Sequence, residues 1–282
     1  MAILEVQGIN VKYAKFELLD VTFSCFPGEV VALVGKNAAG KTTTIDAILG
    51  LTKTCAGVVR YDGEEINERN SSIFKQTVGY VGSCTEYYPD VSIQKIVKFL
   101  SDVYKNWNQG HMNHYLDMFQ IDITKKMKEL STGTQVKFSL AVALSHLATL
   151  LILDEPTTGL DPIVREQVLE LLKSLAHEKN ITVLFSSHIT QDIEKIATKI
   201  LFLLDGKIVL NISKDELKSR YMKISTQALH PDHKDVLDKC VRIGDQYVVM
   251  SRLDAPASLM KQIDEHPLLI EDVLIYLNGG IK

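Results

Sequence analysis

Five consecutive apolar residues, Val30-Val31-Ala32-Leu33-Val34, run into a glycine-containing loop. Beyond it, Thr43-Thr44-Ile45-Asp46-Ala47-Ile48-Leu49 places apolar side chains at helical spacing. This predicts a buried strand, a loop and a helix in that order. Apolar runs return at Leu150-Leu151-Ile152-Leu153, ahead of Asp154-Glu155-Pro156, and at Ile181-Thr182-Val183-Leu184-Phe185, ahead of Ser187-His188. A further strand is predicted over 200–204, and the Asp205-Gly206 turn separates it from one over 207–210. The start, Met1-Ala2-Ile3-Leu4-Glu5-Val6, also reads as a strand, and Asp62-Gly63 marks a turn. From about residue 89 the period becomes helical, with Ile93, Ile96, Val97 and Leu100 on one face. A helical run over 136–147 follows Ser131, a plausible N-cap. Pro162 suits the first turn of a helix over 163–176.

These elements predict an α/β fold with a helical subdomain inserted at about 89–147. The expected core spans residues 1–215. Residues 216–282 read as a small α+β appendage: a helix starting at Asp215-Glu216-Leu217-Lys218, a strand at Gln246-Tyr247-Val248-Val249-Met250, and helices over 255–265 and 268–277.

Composition narrows the class. A chain of 282 residues, 46% hydrophobic and 23% charged, buries a large core. A net charge of −4 offers no bulk basic field to attract nucleic acid. Cys25, Cys55, Cys84 and Cys240 form no C-x-x-C pair, so neither a zinc site nor a disulfide framework is indicated, and a reducing cytosol is expected. Cys25 and Cys55 read as small apolar residues near strands. No signal peptide is read at the start, and no apolar run approaches the ~20 residues of a membrane helix. A pore, if one is served, is expected in another chain.

The chemistry centres on Gly35-Lys36-Asn37-Ala38-Ala39-Gly40-Lys41-Thr42, which fits a Gly, four free positions, then Gly-Lys-Thr. Gly35, Asn37, Ala38, Ala39, Gly40, Lys41, Thr42 and Thr43 form the candidate phosphate site. Backbone N–H groups converge there and the helix dipole favours negative charge. Gly35 and Gly40 permit a tight turn and close approach. Lys41 would reach the β- and γ-phosphates, and the Thr42 hydroxyl would hold Mg²⁺. A strand ending in acids is by itself ordinary surface chemistry. Paired with the phosphate loop, Asp154 is expected to bind Mg²⁺ through water and Glu155 to act as general base. Open α/β sheets place ligands at that strand end.

The order of Gly35–Thr42, Leu130-Ser131-Thr132-Gly133-Thr134-Gln135, Asp154-Glu155-Pro156, Gly159-Leu160-Asp161-Pro162 and Ser187-His188 resembles the ATP-binding subunit of ABC transporters. The resemblance covers roughly the first three quarters of the chain. It implies a P-loop NTPase core of ABC-ATPase type, ATP and Mg²⁺ as ligands, and a dimer with a second such subunit, identical or not. It also implies a separate transmembrane permease, with this chain in the cytoplasm on the inner face of the membrane. Tyr13 matches the aromatic that stacks on adenine. Ser131 and Gly133 match the signature residues that contact the γ-phosphate held by the opposite subunit. Asp161 matches the loop residue that crosses the interface, and His188 the switch histidine. The ending Ile270-Glu271-Asp272-Val273-Leu274-Ile275-Tyr276-Leu277 resembles the closing helix of ABC-2-type exporter subunits. The aromatics of Tyr87-Tyr88-Pro89 lie where the family receives a coupling helix; one is expected to pack and the other to be exposed.

Three positions depart from the family pattern. Thr132 replaces a glycine of the signature, where its side chain would crowd the phosphate approach. Ala38 replaces a common glycine at an intervening position expected to tolerate Ala. After Val78-Gly79-Tyr80-Val81 the family supplies a Gln near Mg²⁺, whereas this chain has Gly82-Ser83-Cys84-Thr85-Glu86. Either Ser83, through water, or Glu86 stands for it. The expected function is ATP hydrolysis powering transport, export in direction. The alternatives are a poorly hydrolytic gating partner in a heterodimer, motivated by Thr132 and Ser83, and a soluble cassette protein acting on ribosomes or DNA.

Overall fold

The computed structural model describes residues 1–82, 87–225, 240–243, 247–251 and 265–279. The first elements are β1 (Leu4–Lys12), β2 (Glu17–Cys25), β3 (Val30–Val34), α1 (Lys41–Ile48), β4 (Ala56–Tyr61), β5 (Glu64–Glu65), α2 (Ser71–Thr77) and β6 (Val78–Val81). The helical insertion follows as α3 (Ile93–Val103), α4 (Gln109–Met118) and α5 (Thr132–Ser145). The chain then returns through β7 (Leu150–Asp154), α6 (Pro162–Lys179), β8 (Thr182–Ser187), α7 (Thr190–Ile196), β9 (Lys199–Leu204), β10 (Lys207–Ser213) and α8 (Lys214–Arg220). It ends with β11 (Tyr221–Ser225), β12 (Val241–Ile243), β13 (Tyr247–Ser251), β14 (Glu265–His266) and α9 (Ile270–Leu277).

The central sheet has the order β10-β9-β3-β8-β7-β6. All its neighbours pair in parallel except β10, an antiparallel edge strand. The unbroken apolar run of β3 follows from burial on both faces. Val30, Ala32 and Val34 enter one hydrophobic cluster with the helical insertion and α6. Val31 and Leu33 enter the other, with β1, β2 and α1. Register places the site: Val34 pairs with Ser187 and Asp154 with Ser186, so three strand ends that precede Gly35, Glu155 and His188 lie along one edge.

An antiparallel sheet, β2-β1-β4-β5, covers the second cluster. In the insertion, α3 buries Ile93, Ile96 and Val97, and α4 buries Met112, Tyr115 and Leu116. Tyr87 meets the Phe138 ring edge-on at 5.2 Å, while Tyr88 is 82% exposed, so the expected split between the two aromatics is seen. The small terminal sheet runs β12-β13-β11-β14. Its Lys223 ammonium donates to both Asp272 carboxylate oxygens on α9, at 3.0 and 3.1 Å.

Several boundaries move from expectation. Ser131 caps α5 as expected, its Oγ accepting the Thr134 N–H, so the helix already runs from Thr132, ahead of the apolar run from 136, and it ends before Leu147, whose φ is 61°. Helix α6 runs on to Lys179, where Asn180 takes a left-handed conformation (φ 55°) that stops it. Helix α8 passes through residue 215, so the expected boundary there falls inside a helix. Cys25 closes β2 and is buried, and Cys55 directly precedes β4 and is exposed, so both lie at strands as read and only Cys25 packs. Gln246, most of the helix expected over 255–265, and Cys84 lie outside the described residues. Among the described residues no helix is long and apolar enough to cross a membrane.

Candidate functional site

The loop after β3 is shaped by two glycines for different reasons. At Gly40 (φ 107°) an added Cβ would lie 2.6 Å from Phe16 Cζ, so the Phe16 ring rests on the glycine. At Gly35 φ is not the constraint. A Cβ there would fall 2.4 Å from the Leu203 carbonyl oxygen, so the loop passes too close to β9 for a side chain. Ala38 adopts φ 65°, so this position favours glycine after all, and the alanine holds a conformation costing about 1–2 kcal/mol.

Lys41 opens α1 and is almost fully buried. Its ammonium donates to the carbonyls of Gly35 (3.0 Å) and Lys36 (3.3 Å) and stands 3.2 Å from Glu155 Oε1. The Thr42 hydroxyl donates to Asp154 Oδ2 at 2.8 Å, and Ser186 Oγ donates to Asp154 Oδ1 at 2.6 Å. The Glu155 N–H in turn donates to Ser186 Oγ at 2.9 Å. One hydroxyl on β8 therefore aligns both acids at the end of β7.

Glu155 sits at φ 52°, turning its side chain back over the loop. Thr158 Oγ1 donates to Glu155 Oε2 at 2.9 Å, and His188 Nδ1 donates to the same oxygen at 2.8 Å. Burial pushes the Glu155 carboxyl up, but the Thr158 hydroxyl, Lys41 and His188 outweigh it and hold it below the ordinary carboxylate range. The carboxylate is ionised at neutral pH, as a base must be.

These groups face a cavity of about 740 Å³, walled by Lys15, Phe16, Asn37, Thr43, Thr158 and His188 together with the loop. Tyr13 stands outside those walls. It is about half exposed, and its hydroxyl is 2.8 Å from Thr52 Oγ1. Tyr13 and Phe16 share one tight turn, closed by Tyr13 N–H donating to the Phe16 carbonyl at 2.8 Å.

Ser131, Gly133 and Asp161 do not join this cavity. Ser131 and Thr132 are exposed at the start of α5, where the Ser131 hydroxyl caps the helix. Gly133 is buried because a Cβ would lie 2.8 Å from Val164 Cγ1, which brings α5 close to α6. Asp161 caps α6 by accepting the N–H groups of Ile163 and Val164, both at 3.0 Å. Ser83 and Glu86, the two residues standing for the family Gln, lie outside the described residues. Phe16, Thr158 and Ser186 were missed in the sequence. Only the Ser186-Ser187 doublet ahead of His188 hinted at a hydroxyl at that strand end.

With this geometry in place, comparison with known proteins is specific. Residues 18–158 match the family model described as ABC transporter. The chain is 32% identical over 274 residues to the ABC transporter ATP-binding protein YtrB of Bacillus subtilis (strain 168), covering 93% of each. It is also 32% identical over 274 residues to the bacitracin transport ATP-binding protein BcrA of Bacillus licheniformis, covering 90% of this chain and 89% of that one. The fold is similar to a solved ATP-binding subunit of an ABC transporter, with a TM-score of 0.70 at 24% identity over 77% of this chain and 92% of that one.

Proposed function

The chain belongs to the ABC transporter family as an ATP-binding ATPase subunit, and from that premise we propose that ATP closes two such subunits on each other to power transport, export in direction, through separate membrane chains. The observation that carries this reading is the meeting of Lys41, His188 and Glu155 in one cavity while Ser131, Gly133 and Asp161 stand apart from it. A second subunit facing the first would bring its Ser131 and Gly133 to the γ-phosphate and its Asp161 across the interface.

Within one subunit, Lys41 neutralises phosphate charge, and the N–H groups of the loop and the α1 dipole hold the anion. Glu155, aimed by Thr158 and His188, accepts the proton of the attacking water. Thr42 and Asp154 place two oxygens 2.8 Å apart, a donor set suited to Mg²⁺. Among the described residues no three His, Cys, Asp or Glu side chains converge to hold a metal, which fits an ion that keeps waters and phosphate oxygens as its other ligands. When bound, that ion would supply charge neutralisation at the phosphates. Thr132 is exposed beside Ser131, so its side chain lies on the surface that would face the second subunit's phosphate.

The membrane partner would dock in a second cavity of about 560 Å³ on the helical insertion, walled by Leu51, Tyr88, Lys95, Phe99, Tyr104 and His146. A role in transport is supported by the similarity to the bacitracin transport protein, and export in direction is our proposal. We propose the sheet β11–β14 with α9 as the accessory unit.

The test is Mg²⁺-dependent ATP turnover by the purified chain beside Lys41→Ala and Glu155→Gln. Turnover lost in both is the expected result. Turnover that persists in Glu155→Gln would overturn the assignment of the base.

A further inference from the structure

Asp192 is only 1% exposed, yet it is a carboxylate with no place in the chemistry described so far. Burying a charge is costly unless it is paired, so its partners matter. Thr157 Oγ1 donates to Asp192 Oδ2 at 2.5 Å, and Arg165 Nε donates to Asp192 Oδ1 at 2.6 Å. Thr157 is itself 2% exposed.

The positions of these three residues give the contact its meaning. Thr157 lies two residues after Glu155, in the segment linking β7 to α6. Its neighbour Thr158 turns the other way and holds the Glu155 carboxylate. Arg165 lies in the first turns of α6, one helical turn beyond the cap Asp161, whose carbonyl accepts the Arg165 N–H at 2.9 Å. Asp192 is in the first turn of α7, which starts two residues after His188. A single buried carboxylate thus joins the segment that carries Glu155 and Asp161 to the helix that carries on from His188.

We infer that Asp192 is a positioning residue for hydrolysis: by gripping Thr157 and Arg165 it fixes Glu155 against His188 and sets Asp161 for the facing subunit. Its grip does not touch the phosphate loop, so it acts on turnover and leaves ATP binding to Lys41 and the loop amides. The inference rests on Glu155 being the base.

The experiment measures kcat and KM for ATP in Asp192→Asn, Thr157→Val, Thr157→Ser and the Asp192→Asn/Thr157→Val pair, beside Glu155→Gln. Thr157→Val has nearly the shape of the native side chain, so it serves where Asp192→Asn fails to fold. A misplaced base costs about tenfold to a hundredfold in rate, so kcat should fall by that much in Asp192→Asn and Thr157→Val with KM unchanged. Thr157→Ser keeps the hydroxyl and should restore kcat. The pair should be no worse than Asp192→Asn, because both changes remove one contact. Full kcat in folded Thr157→Val, with Glu155→Gln inactive, would overturn the positioning role alone. Wild-type turnover in Glu155→Gln would overturn the base and this inference with it.

Discussion

The Lys41 ammonium stands 3.2 Å from the Glu155 carboxylate, so the cation assigned to the phosphates and the carboxylate assigned as base lie in direct contact. Both are largely buried, so the pair is poorly screened by solvent. On the proposed roles, the phosphates of ATP would compete with Glu155 for the Lys41 ammonium, and Glu155 would turn to the water.

Glu155→Gln removes that competition together with the base. The expected outcome is tighter ATP binding with turnover lowered by about 10²–10⁴. Because ATP is then bound and not consumed, the variant should stay dimeric with ATP on size exclusion while the wild type reopens. A Glu155→Gln chain that remains monomeric at saturating ATP would contradict both the competition and the closing role.

Stability should fall with acid in two separate windows. His146 stacks on Tyr104 at 4.0 Å, with its ring nitrogens 3.0 and 3.3 Å from the Val142 and Val78 carbonyls. Burial pushes its pKa below the ordinary 6.5, and those carbonyls offset this only in part. The folded state thus prefers the neutral ring, and stability drops as pH falls from about 6.5 toward the depressed value. His146→Phe should flatten Tm across that range. Glu155 also has a lowered pKa, where burial is outweighed by Thr158, Lys41 and His188. Its contribution is present above about 4.5 and is lost as pH falls through its own lower value, so Glu155→Gln should alter Tm against pH only in that more acid window.

Gly35, which would meet backbone, and Gly133, which would meet a side chain, give a contrast in glycine substitutions. In Gly35→Ala the new Cβ meets the Leu203 carbonyl at 2.4 Å, inside a six-stranded sheet that cannot yield. Nucleotide binding should be abolished and unfolding shifted by at least about 1–3 kcal/mol. In Gly133→Ala the Cβ meets Val164 Cγ1 at 2.8 Å, where α6 can give slightly. ATP binding to the single chain should survive, with dimer-dependent turnover reduced. Denaturant titration and isothermal calorimetry separate the two.

Much of this site was legible because β3 and β7 are unbroken apolar runs ended by a chemical residue, Val34 before Gly35 and Leu153 before Asp154, while β8 carries Val183-Leu184-Phe185 ahead of Ser186, Ser187 and His188. Burial on both faces leaves little else such a pattern can be. Ser186 was not legible, because its value depends on β8 pairing with β7 so that Ser186 lies opposite Asp154. Asp192 was hidden for the same reason: its partners lie 35 and 27 residues away along the chain. The cap at Ser131 was legible from its side chain, whereas the end of α6 was misjudged because the left-handed Asn180 decides it.

The aromatics of the Tyr13–Phe16 turn carry the last prediction. Phe16 lies in the cavity wall with its ring on Gly40, whereas Tyr13 stands outside the wall with its hydroxyl on Thr52. A base stacked on an aromatic ring gains roughly 1–3 kcal/mol. If Tyr13 swings in to stack on adenine, Tyr13→Ala weakens ATP by that amount and leaves inorganic tripolyphosphate unaffected. Phe16 supports the loop that grips the phosphates, so Phe16→Ala should weaken ATP and tripolyphosphate alike. Calorimetric titration of both ligands into both variants decides the roles. Equal loss of the two ligands in Tyr13→Ala would show that Tyr13 acts through the turn and that adenine stacks elsewhere.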